Sequence, residues 1–464
     1  MSSVANRRPR ALLILIFILF LISNTAYLHR VPGLFGDEAS EGNNVYELLR
    51  SDKIVVRGER SYIGPLVDYA RVPFVLVFGY SALALRMMML LVSLATFGLA
   101  VVVFRRLFGE EIYLWVMVMM FFSPTYLLYQ RLGWAITLFP FFALLLLFFL
   151  TDKRIRVPYR SALAGLAAGL GLHNYIVFLP AIAGIIGPWL ITFWRRPKEL
   201  LKHWLALLGF WAGFGTQFAV LQLMSEDQGS PREVISGFWG RVANLPSLLP
   251  LVSSGSSYVA RYTGNEFSSL AIGIITLVLV VLVGMAVVSG RHRRVAILWL
   301  LGLAIQLLAL TFIIDRFTLR YFVLFVLGMW ALAGVGLSVL ARRFTGAPAV
   351  VALALTAVTG VAVLVPYLRT GGSVERFSLG NRTDTAADFV DIRSLVSCVE
   401  TLGPVWSDNP HIYNRLLYLS HGNEARELPE SKYEAHWLVD YRLPGERGGV
   451  KCPELTHFKI SKRK

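Results

Sequence analysis

Charged residues and cysteines are both scarce in this sequence. Asp, Glu, Lys and Arg make up only 16% of the 464 residues, whereas hydrophobic residues make up 56%. Soluble domains hold about a quarter charged residues. The apolar runs 270–288 and 295–314 contain no Asp, Glu, Lys or Arg at all. These absences exclude an ordinary soluble protein and indicate an integral membrane protein.

Several catalytic signatures are also missing. The sequence has no glycine-rich phosphate loop, dinucleotide fingerprint, serine elbow or His-Glu-x-x-His run, which excludes a soluble-type catalytic domain. The lack of ionisable residues within the apolar runs argues against an ion-coupled transporter, which needs such groups at mid-depth. The runs are continuous rather than alternating, so they predict helices and exclude a strand barrel.

The formal net charge of +16 is concentrated in the apolar part of the chain. Residues 368–464 hold 14 basic and 13 acidic residues, whereas the first 367 residues hold 31 basic and 16 acidic ones. Basic loops that face the cytoplasm and anionic lipid produce this pattern. No nucleic-acid partner is therefore expected; the surrounding partners are membrane lipids.

The apolar runs predict an all-α polytopic membrane bundle of about 11 transmembrane helices, with the N-terminus inside and the C-terminus outside. Arg7, Arg8 and Arg10 precede the first run, 11–28, and later basic clusters fall on alternate connections. An uncleaved anchor is favoured over a cleaved signal peptide, because no small-x-small site ends this run.

The predicted organisation is a membrane domain over residues 1–367 and a soluble extracytoplasmic α/β domain over residues 368–464. The membrane domain includes two large outer loops, 29–71 and 225–269. Within the first of these, residues 38–49 show a short amphipathic pattern that favours a juxtamembrane helix at the membrane surface, and a second half-polar segment follows at 62–80.

Both cysteines, Cys398 and Cys452, lie in the predicted C-terminal domain. An extracytoplasmic location permits a disulfide, so the two are a candidate pair. Two separate buried thiols fit the sequence equally well, and no zinc-binding spacing is present.

Polar residues collect at the predicted outer end of the bundle. Asp37, Glu38 and Glu41 lie in a polar stretch directly after the first run. The other candidates for substrate binding are Arg57, Arg60, Tyr62, Arg131, His173, Arg320 and Tyr321. A carboxylate can take a proton from an acceptor hydroxyl, and arginine matches phosphate oxygens with a planar fork of donors. The alternative is that the arginines snorkel to lipid headgroups and that Arg320 and Tyr321 anchor a span at the interface.

The order and sidedness of several motifs resemble the GT-C membrane glycosyltransferases. The similarity is strongest to the protein O-mannosyltransferase and lipid A aminoarabinose transferase relatives, glycosyltransferase family 39 and its kin, and it covers the first ~130 residues best. The motifs are Asp37-Glu38 after one span, the segment 62–86 ending in Ala84-Leu85-Arg86, the cytoplasmic Arg105-Arg106-Leu107-Phe108-Gly109, and Arg320-Tyr321.

This resemblance implies that Asp37 is the catalytic base and that Glu38, the second acid of the family, supports it or orients the acceptor. It also implies a polyprenyl-phosphate sugar as the donor. Relatives with Glu-Lys-Pro-Pro before the second span carry a lysine near the phosphate; here the run is Tyr62-Ile63-Gly64-Pro65-Leu66, so Arg60 or Arg57 is expected to replace it.

No cofactor is expected. Many relatives place an aspartate after the third span, where this chain has Gln130 and Arg131, so a second acid for a metal ion is missing. A divalent metal ion is not favoured, since arginines can neutralise a monophosphate leaving group.

The sequence thus predicts an inverting hexosyltransferase of the plasma membrane. It would move a sugar from a polyprenyl phosphate to a hydroxyl of a lipid, glycan or protein at the outer face, with Arg320, Tyr321 and Arg60 on the phosphate. Two alternatives stay open: a flippase or transporter of lipid-linked substrates, and a non-catalytic membrane scaffold.

Overall fold

The computed structural model describes residues 7–26, 28–29, 34–58, 60, 62–223, 238–256, 268–288, 292–313, 319–344, 346, 405–407, 410–420, 437–441 and 458–462. Helices dominate this part of the chain. They are α1 (Arg7–Thr25), α2 (Gly36–Arg50), α3 (Leu66–Phe78), α4 (Ala82–Phe108), α5 (Tyr113–Phe121), α6 (Pro124–Tyr129), α7 (Phe139–Thr151), α8 (Val157–Asn174), α9 (Leu179–Ile191), α10 (Leu205–Leu223), α11 (Phe238–Ser253), α12 (Ser269–Val288), α13 (Arg293–Ile313), α14 (Val323–Arg343) and α15 (Pro410–Ser420).

Within the described residues, five segments are long and apolar enough to cross a bilayer: α4, α10, α12, α13 and Arg320–Arg343, which contains α14. Leu270, Leu277 and Leu308 on these helices are 74%, 63% and 60% exposed, as expected for lipid-facing side chains. The predicted helical membrane bundle is confirmed. The count of 11 spans and the N-in, C-out orientation stay predictions, and the last predicted span, 348–367, lies outside the described residues.

Helix α4 shows how the sequence sets these boundaries. Its 27 residues rise about 40 Å, which exceeds the ~30 Å apolar core of a bilayer. At the start, the Ser81 side chain accepts a hydrogen bond from Ala84 N at 3.2 Å. The last turn of the helix contains Arg105 and Arg106. Gly109 follows this turn and has a φ of +82°, a conformation that favours glycine.

The apolar run 112–127 does not form one span. It is divided into α5 and α6 at Ser123, whose side chain caps α6 by accepting from Tyr126 N at 3.3 Å. Pro124 occupies the first position of α6, where the missing backbone N–H would have had no partner within the helix in any case. Because proline cannot donate this hydrogen bond, α5 cannot continue through residue 124 as a regular helix.

Helices α8 and α10 cross at close range through two small-residue motifs. Gly165 and Gly169 of α8 lie against the carbonyls of Ala206 and Phe210, and Gly209 of α10 lies against the backbone of α8. A Cβ at any of these positions would collide with backbone atoms. Such spacing is typical of helix contacts in membranes, where close backbone approach replaces the hydrophobic driving force.

Helix α14 lies at the centre of the bundle, packed against α5, α12 and α13. Val326, Trp330 and Leu337 along it are fully buried, and Trp330 Nε1 donates to Ser253 O at 2.9 Å. The helix is preceded by a 3-10 turn, Leu319–Phe322. Arg320 and Tyr321 therefore lie on a turn that leads directly into a largely buried helix.

Beyond residue 404 the described residues form α15 and a three-stranded sheet. Strand β1 (Val405–Trp406) pairs in parallel with β2 (Trp437–Tyr441), which pairs antiparallel with β3 (Phe458–Lys462). Helix α15 packs against α2 of the first loop. The predicted helix over 38–49 is present as α2, whereas Cys398 and Cys452 lie outside the described residues, so their pairing stays a prediction.

Candidate active site

Helix α2 begins directly after the extended residue Phe35 and carries three carboxylates in its first two turns. Acidic side chains are favoured there because a helix N-terminus carries partial positive charge. Residues four apart share a helix face, whereas adjacent residues are rotated by about 100°. Asp37 and Glu41 therefore face one side of α2, and Glu38 faces another.

A small polar cavity of about 20 Å³ lies on the Asp37 side of α2. It is lined by Asp37, Glu41, Arg60, Tyr62, Ile63, Trp134, Ile136, Tyr175 and Arg320. These residues come from distant parts of the chain, so tertiary packing assembles the cavity. Of the substrate-binding candidates from the sequence, Glu41, Arg60, Tyr62 and Arg320 line it.

The side chains of Asp37 and Arg320 meet in this polar cavity. Arg320 Nη1 donates a hydrogen bond to Asp37 Oδ2 at 2.5 Å, and the two side chains are 18% and 19% exposed. The guanidinium also lies 5.4 Å from the ring centre of Tyr321 and 5.8 Å from that of Trp134. Arg320 Nε is buried and has no hydrogen-bond partner among the described residues. A buried cationic donor without an acceptor is suited to an anionic oxygen.

Arg60 and Tyr62 supply a second pair of donors. Arg60 Nη1 donates to the Tyr62 hydroxyl at 2.7 Å. Burial raises the pKa of Tyr62 and outweighs the opposing effect of Arg60, so the phenol stays protonated. The segment is fixed by Ile176 N, which donates to Tyr62 O at 3.1 Å. A protonated hydroxyl that accepts from an arginine keeps its own hydrogen for a ligand.

Glu38 lies away from the polar cavity and is completely buried. Its carboxylate is held in a bidentate pair by Arg86, with Nε to Oε1 and Nη2 to Oε2 both at 2.8 Å. Oε1 also accepts from Gly133 N at 2.8 Å, and Oε2 from Phe35 N at 3.3 Å. Of the two roles expected for Glu38, support of Asp37 fits this geometry; contact with an acceptor does not, because the side chain is sealed from the cavity.

Glu41 borders the cavity but is held from behind. Its Oε2 accepts from Arg71 Nη2 at 2.6 Å and from Ala135 N at 3.0 Å. Arg71 is fully buried and also donates to Asp68 at 3.0 Å and to the Gly133 carbonyl. Two buried ion pairs, Glu38 with Arg86 and Glu41 with Arg71, thus fix α2 against α4 and α3, and both carboxylates also accept backbone N–H groups from the loop 132–135.

Four predicted substrate-binding residues do not line the polar cavity: Tyr321, whose ring lies against the Arg320 guanidinium, Arg131, Arg57 and His173. Arg131 donates to Ser23 O at 2.5 Å and to Ala26 O, so it caps the C-terminal carbonyls of α1. Arg57 is exposed to solvent and does not line the cavity. His173 is half-buried, with Nδ1 3.4 Å from Thr216 Oγ1. The substrate-binding role of these four residues stays a prediction.

Sequence reasoning did not single out Trp134, Ile136 or Tyr175, which line the cavity. The sequence gives little indication that these residues line a site, since aromatic residues near the ends of spans are common in membrane proteins. Among the described residues, no group of three or more His, Cys, Asp or Glu side chains is placed to hold a metal ion. The expectation of a metal-free reaction stays a prediction.

A second, larger cavity of about 270 Å³ lies inside the bundle, and its lining is almost entirely apolar. Side chains from α4, α7, α9, α13 and α14 contribute to it, including Leu144, Ala181, Leu303 and Leu324. Leu324 follows Arg320 by four residues along the chain. The apolar cavity therefore begins about one helical turn from the cationic end of the polar cavity.

No protein-family model matches the chain, and no curated protein matches it in sequence. Solved structures do match in fold. The crystal structure of ArnT from Cupriavidus metallidurans in the apo state has a TM-score of 0.55 at 14% identity, over 94% of this chain and 93% of that one. The crystal structure of the same protein bound to undecaprenyl phosphate has a TM-score of 0.53 at 14% identity, over 91% and 76%. At the level of the fold, this likeness confirms the resemblance to the GT-C group of the aminoarabinose transferases.

Proposed function

We propose that this membrane protein is an inverting glycosyltransferase that moves a sugar from a polyprenyl phosphate to a hydroxyl acceptor at the outer membrane face. The observation that carries the proposal is the contact between Asp37 and Arg320 in one polar cavity, beside Arg60 and Tyr62. A base and a phosphate-binding group must face the same cavity, because the acceptor hydroxyl attacks an anomeric carbon that is bonded directly to the phosphate oxygen. The ArnT fold supports the same class of donor.

Asp37 acts as the general base. Its carboxylate takes the proton of the acceptor hydroxyl while the hydroxyl oxygen bonds to the anomeric carbon. The bond from that carbon to the phosphate oxygen breaks, and its electron pair leaves with the phosphate. A single displacement with the base and the leaving group on opposite sides inverts the anomeric configuration.

Arg320, Arg60 and Tyr62 stabilise the departing phosphate. The guanidinium of arginine matches phosphate oxygens, and the protonated Tyr62 hydroxyl adds a neutral donor. Preformed donors aimed at developing negative charge are a large source of rate acceleration in a site shielded from water. No metal ion is part of the proposal.

The pairing of Asp37 with Arg320 gives the donor a second effect. A carboxylate whose oxygen is engaged by a guanidinium is a poor acceptor for a proton. The donor phosphate competes for Arg320, whose Nε has no partner among the described residues, and so releases Asp37. The base is then fully available only when the donor is in place.

The apolar cavity supplies a place for part of the polyprenyl chain. Its lining is apolar, and it begins about one helical turn from Arg320. An amphiphile with an anionic head and a long apolar tail suits a polar cavity that contains Arg320 and an apolar cavity that contains Leu324 better than a polar substrate in transit does. This favours the transferase over a transporter of lipid-linked substrates.

The decisive experiment uses purified Asp37→Asn protein with a radiolabelled polyprenyl-phosphate sugar and a panel of hydroxyl acceptors. Transfer should fall at least ~10³-fold, because the general base is lost, whereas a polyprenyl phosphate should still bind. Wild-type transfer by the variant contradicts the assignment. In proteoliposomes, movement of the intact lipid-linked sugar without its cleavage would identify a flippase instead.

A further inference from the structure

Helix α15 belongs to the C-terminal part of the chain, yet it packs directly on α2, the helix that carries Asp37. Two hydrogen bonds join α15 to α2 and to the residues just before it. Asn43 Nδ2 donates to Asn414 O at 3.3 Å, and Arg415, which is fully buried, donates from Nη1 to Leu34 O at 3.4 Å. Leu34 lies at the entrance to α2, so α15 contacts both the start and the middle of that helix.

Tyr418 is the centre of this contact. Its side chain is fully buried against Leu34, Ala39 and Leu85. The hydroxyl donates to Ser81 O at 3.0 Å. Ser81 is the N-cap of α4, which carries Arg86, the partner of Glu38. One side chain of α15 thereby touches both helices that form the buried ion pair behind the site.

The contact is close enough to require a glycine on α2. A Cβ at Gly42 would lie only 2.5 Å from Tyr418 Cε2, and such a distance does not occur between real side chains. Gly42 has no unusual backbone conformation that would call for glycine, since it lies within a regular helix. Its lack of a side chain is explained by the ring of Tyr418.

Helix α2 needs outside support. It has 15 residues, many of them polar, and an isolated helix of this length is marginal in water. Asp37 and Glu41 face the polar cavity, Glu38 faces α4, and Ala39 and Asn43 face α15. Without α15, one face of α2 would lose its packing.

We propose that α15 is a positioning element of the active site: Tyr418 and Arg415 hold α2 so that Asp37 reaches the acceptor hydroxyl. This inference rests on the proposed transferase function. The C-terminal segment is then part of the catalytic machinery rather than an appended domain. A displacement of about 1 Å of a catalytic group is sufficient to slow a reaction about 100-fold.

The test separates positioning from binding and from folding. Gly42→Ala should lower kcat by about 10- to 100-fold, because the new methyl group displaces α2 from Tyr418. The Kd for a polyprenyl phosphate should change less than about twofold, since Arg320, Arg60 and Tyr62 are not on α2. Gly284→Ala, in helix α12 with open space around the added atom, is the matched control and should behave as wild type.

Rescue identifies the partner. The double variant Gly42→Ala, Tyr418→Leu makes room for the methyl group and should be faster than Gly42→Ala alone, although the lost hydrogen bond to Ser81 should keep its kcat below that of the wild type. A double variant no faster than Gly42→Ala alone overturns the inference, as does a Gly42→Ala protein with wild-type kcat. If Gly42→Ala does not fold, Tyr418→Phe decides. It keeps the ring, loses the hydrogen bond to Ser81, and should lower kcat severalfold at unchanged melting temperature, whereas the exposed Tyr159→Phe should not.

Hydrogen exchange distinguishes a failed inference from a failed function. Amides of residues 36–50 should exchange faster in Gly42→Ala than in wild type, while those of α12 stay the same. If these amides exchange faster in Gly42→Ala but the wild-type protein transfers no sugar, the proposed transferase function is refuted and the packing of α15 on α2 still stands. Unchanged exchange overturns the positioning role whatever the activity.

Discussion

Asp37 and Arg320 are separated by 283 positions in the chain, and their side chains join at 2.5 Å in the polar cavity. One comes from the first turn of an amphipathic helix in the first loop, the other from the 3-10 turn that opens the central helix α14. The contact places a carboxylate and a guanidinium at neighbouring points of one cavity. In the proposed mechanism the donor phosphate competes with Asp37 for Arg320.

Arg320→Ala should weaken the binding of a polyprenyl phosphate by about 10- to 100-fold, the range expected for a lost hydrogen bond to a charged group. Arg320→Lys should restore only part of this affinity, because lysine is a point charge without the planar fork. Binding is measured by titration in detergent. Arg196→Ala, at an arginine exposed to solvent, is the control and should bind normally; equal affinities for all variants would return Arg320 to an anchoring role.

Tyr62→Phe should lower kcat about tenfold, because the phosphate loses one neutral donor and Arg60 loses its acceptor. Burial raises the pKa of Tyr62 above its ordinary value near 10, so the hydroxyl remains protonated from about pH 7 to 9. The variant should therefore lower the pH–rate profile without changing its shape in this interval. A profile whose shape changes below pH 9 would show that Tyr62 acts as an ionised group.

The buried pair of Glu38 and Arg86 should dominate the stability of this region. Glu38→Gln or Arg86→Met leaves a charge buried without its partner and should destabilise the protein by about 3–5 kcal/mol. Thermal unfolding in detergent measures the loss. Arg105→Ala breaks an exposed pair with Glu110, whose side chains are 46% and 60% exposed, and should change stability by less than about 1 kcal/mol.

Ala181→Phe tests the apolar cavity. The larger side chain fills space inside the bundle, so the Kd for a long-chain polyprenyl phosphate should rise about tenfold. The Kd for a short analogue of two isoprene units should not change, because the head is bound in the polar cavity. Leu277→Phe on the exposed face of α12 is the control. An equal rise for both chain lengths would place the tail elsewhere.

Much of the architecture could be predicted because hydrophobic periodicity and charge act locally. The apolar runs define most of the helices, and Glu38 and Glu41 fall on the amphipathic helix predicted over 38–49, which in the structure begins at Gly36 and so also includes Asp37. The run 112–127 was misleading, because mean hydropathy does not detect a break between two helices. The break is set by the N-cap Ser123 and the proline that follows it.

The candidate site was predicted in part. Asp37, Arg60, Tyr62 and Arg320 meet in the polar cavity, whereas Arg131 caps α1 and Arg57 is exposed to solvent. An arginine near a span end has the same sequence signature whether it binds a ligand, a helix terminus or lipid headgroups. Only the acceptors around it distinguish these roles.

The sequence by itself determined that this is a membrane bundle with a pair of acids after its first apolar run. Adjacent residues on a helix point in directions about 100° apart, so only one of Asp37 and Glu38 can face the polar cavity. Tertiary structure decided which: Arg86 and the loop at Gly133 enclose Glu38, while Arg320 and solvent reach Asp37. Tertiary structure also packs α15 against another face of the same helix. The need for glycine at position 42 cannot be read from the sequence, because it depends on the ring of Tyr418 from a distant part of the chain.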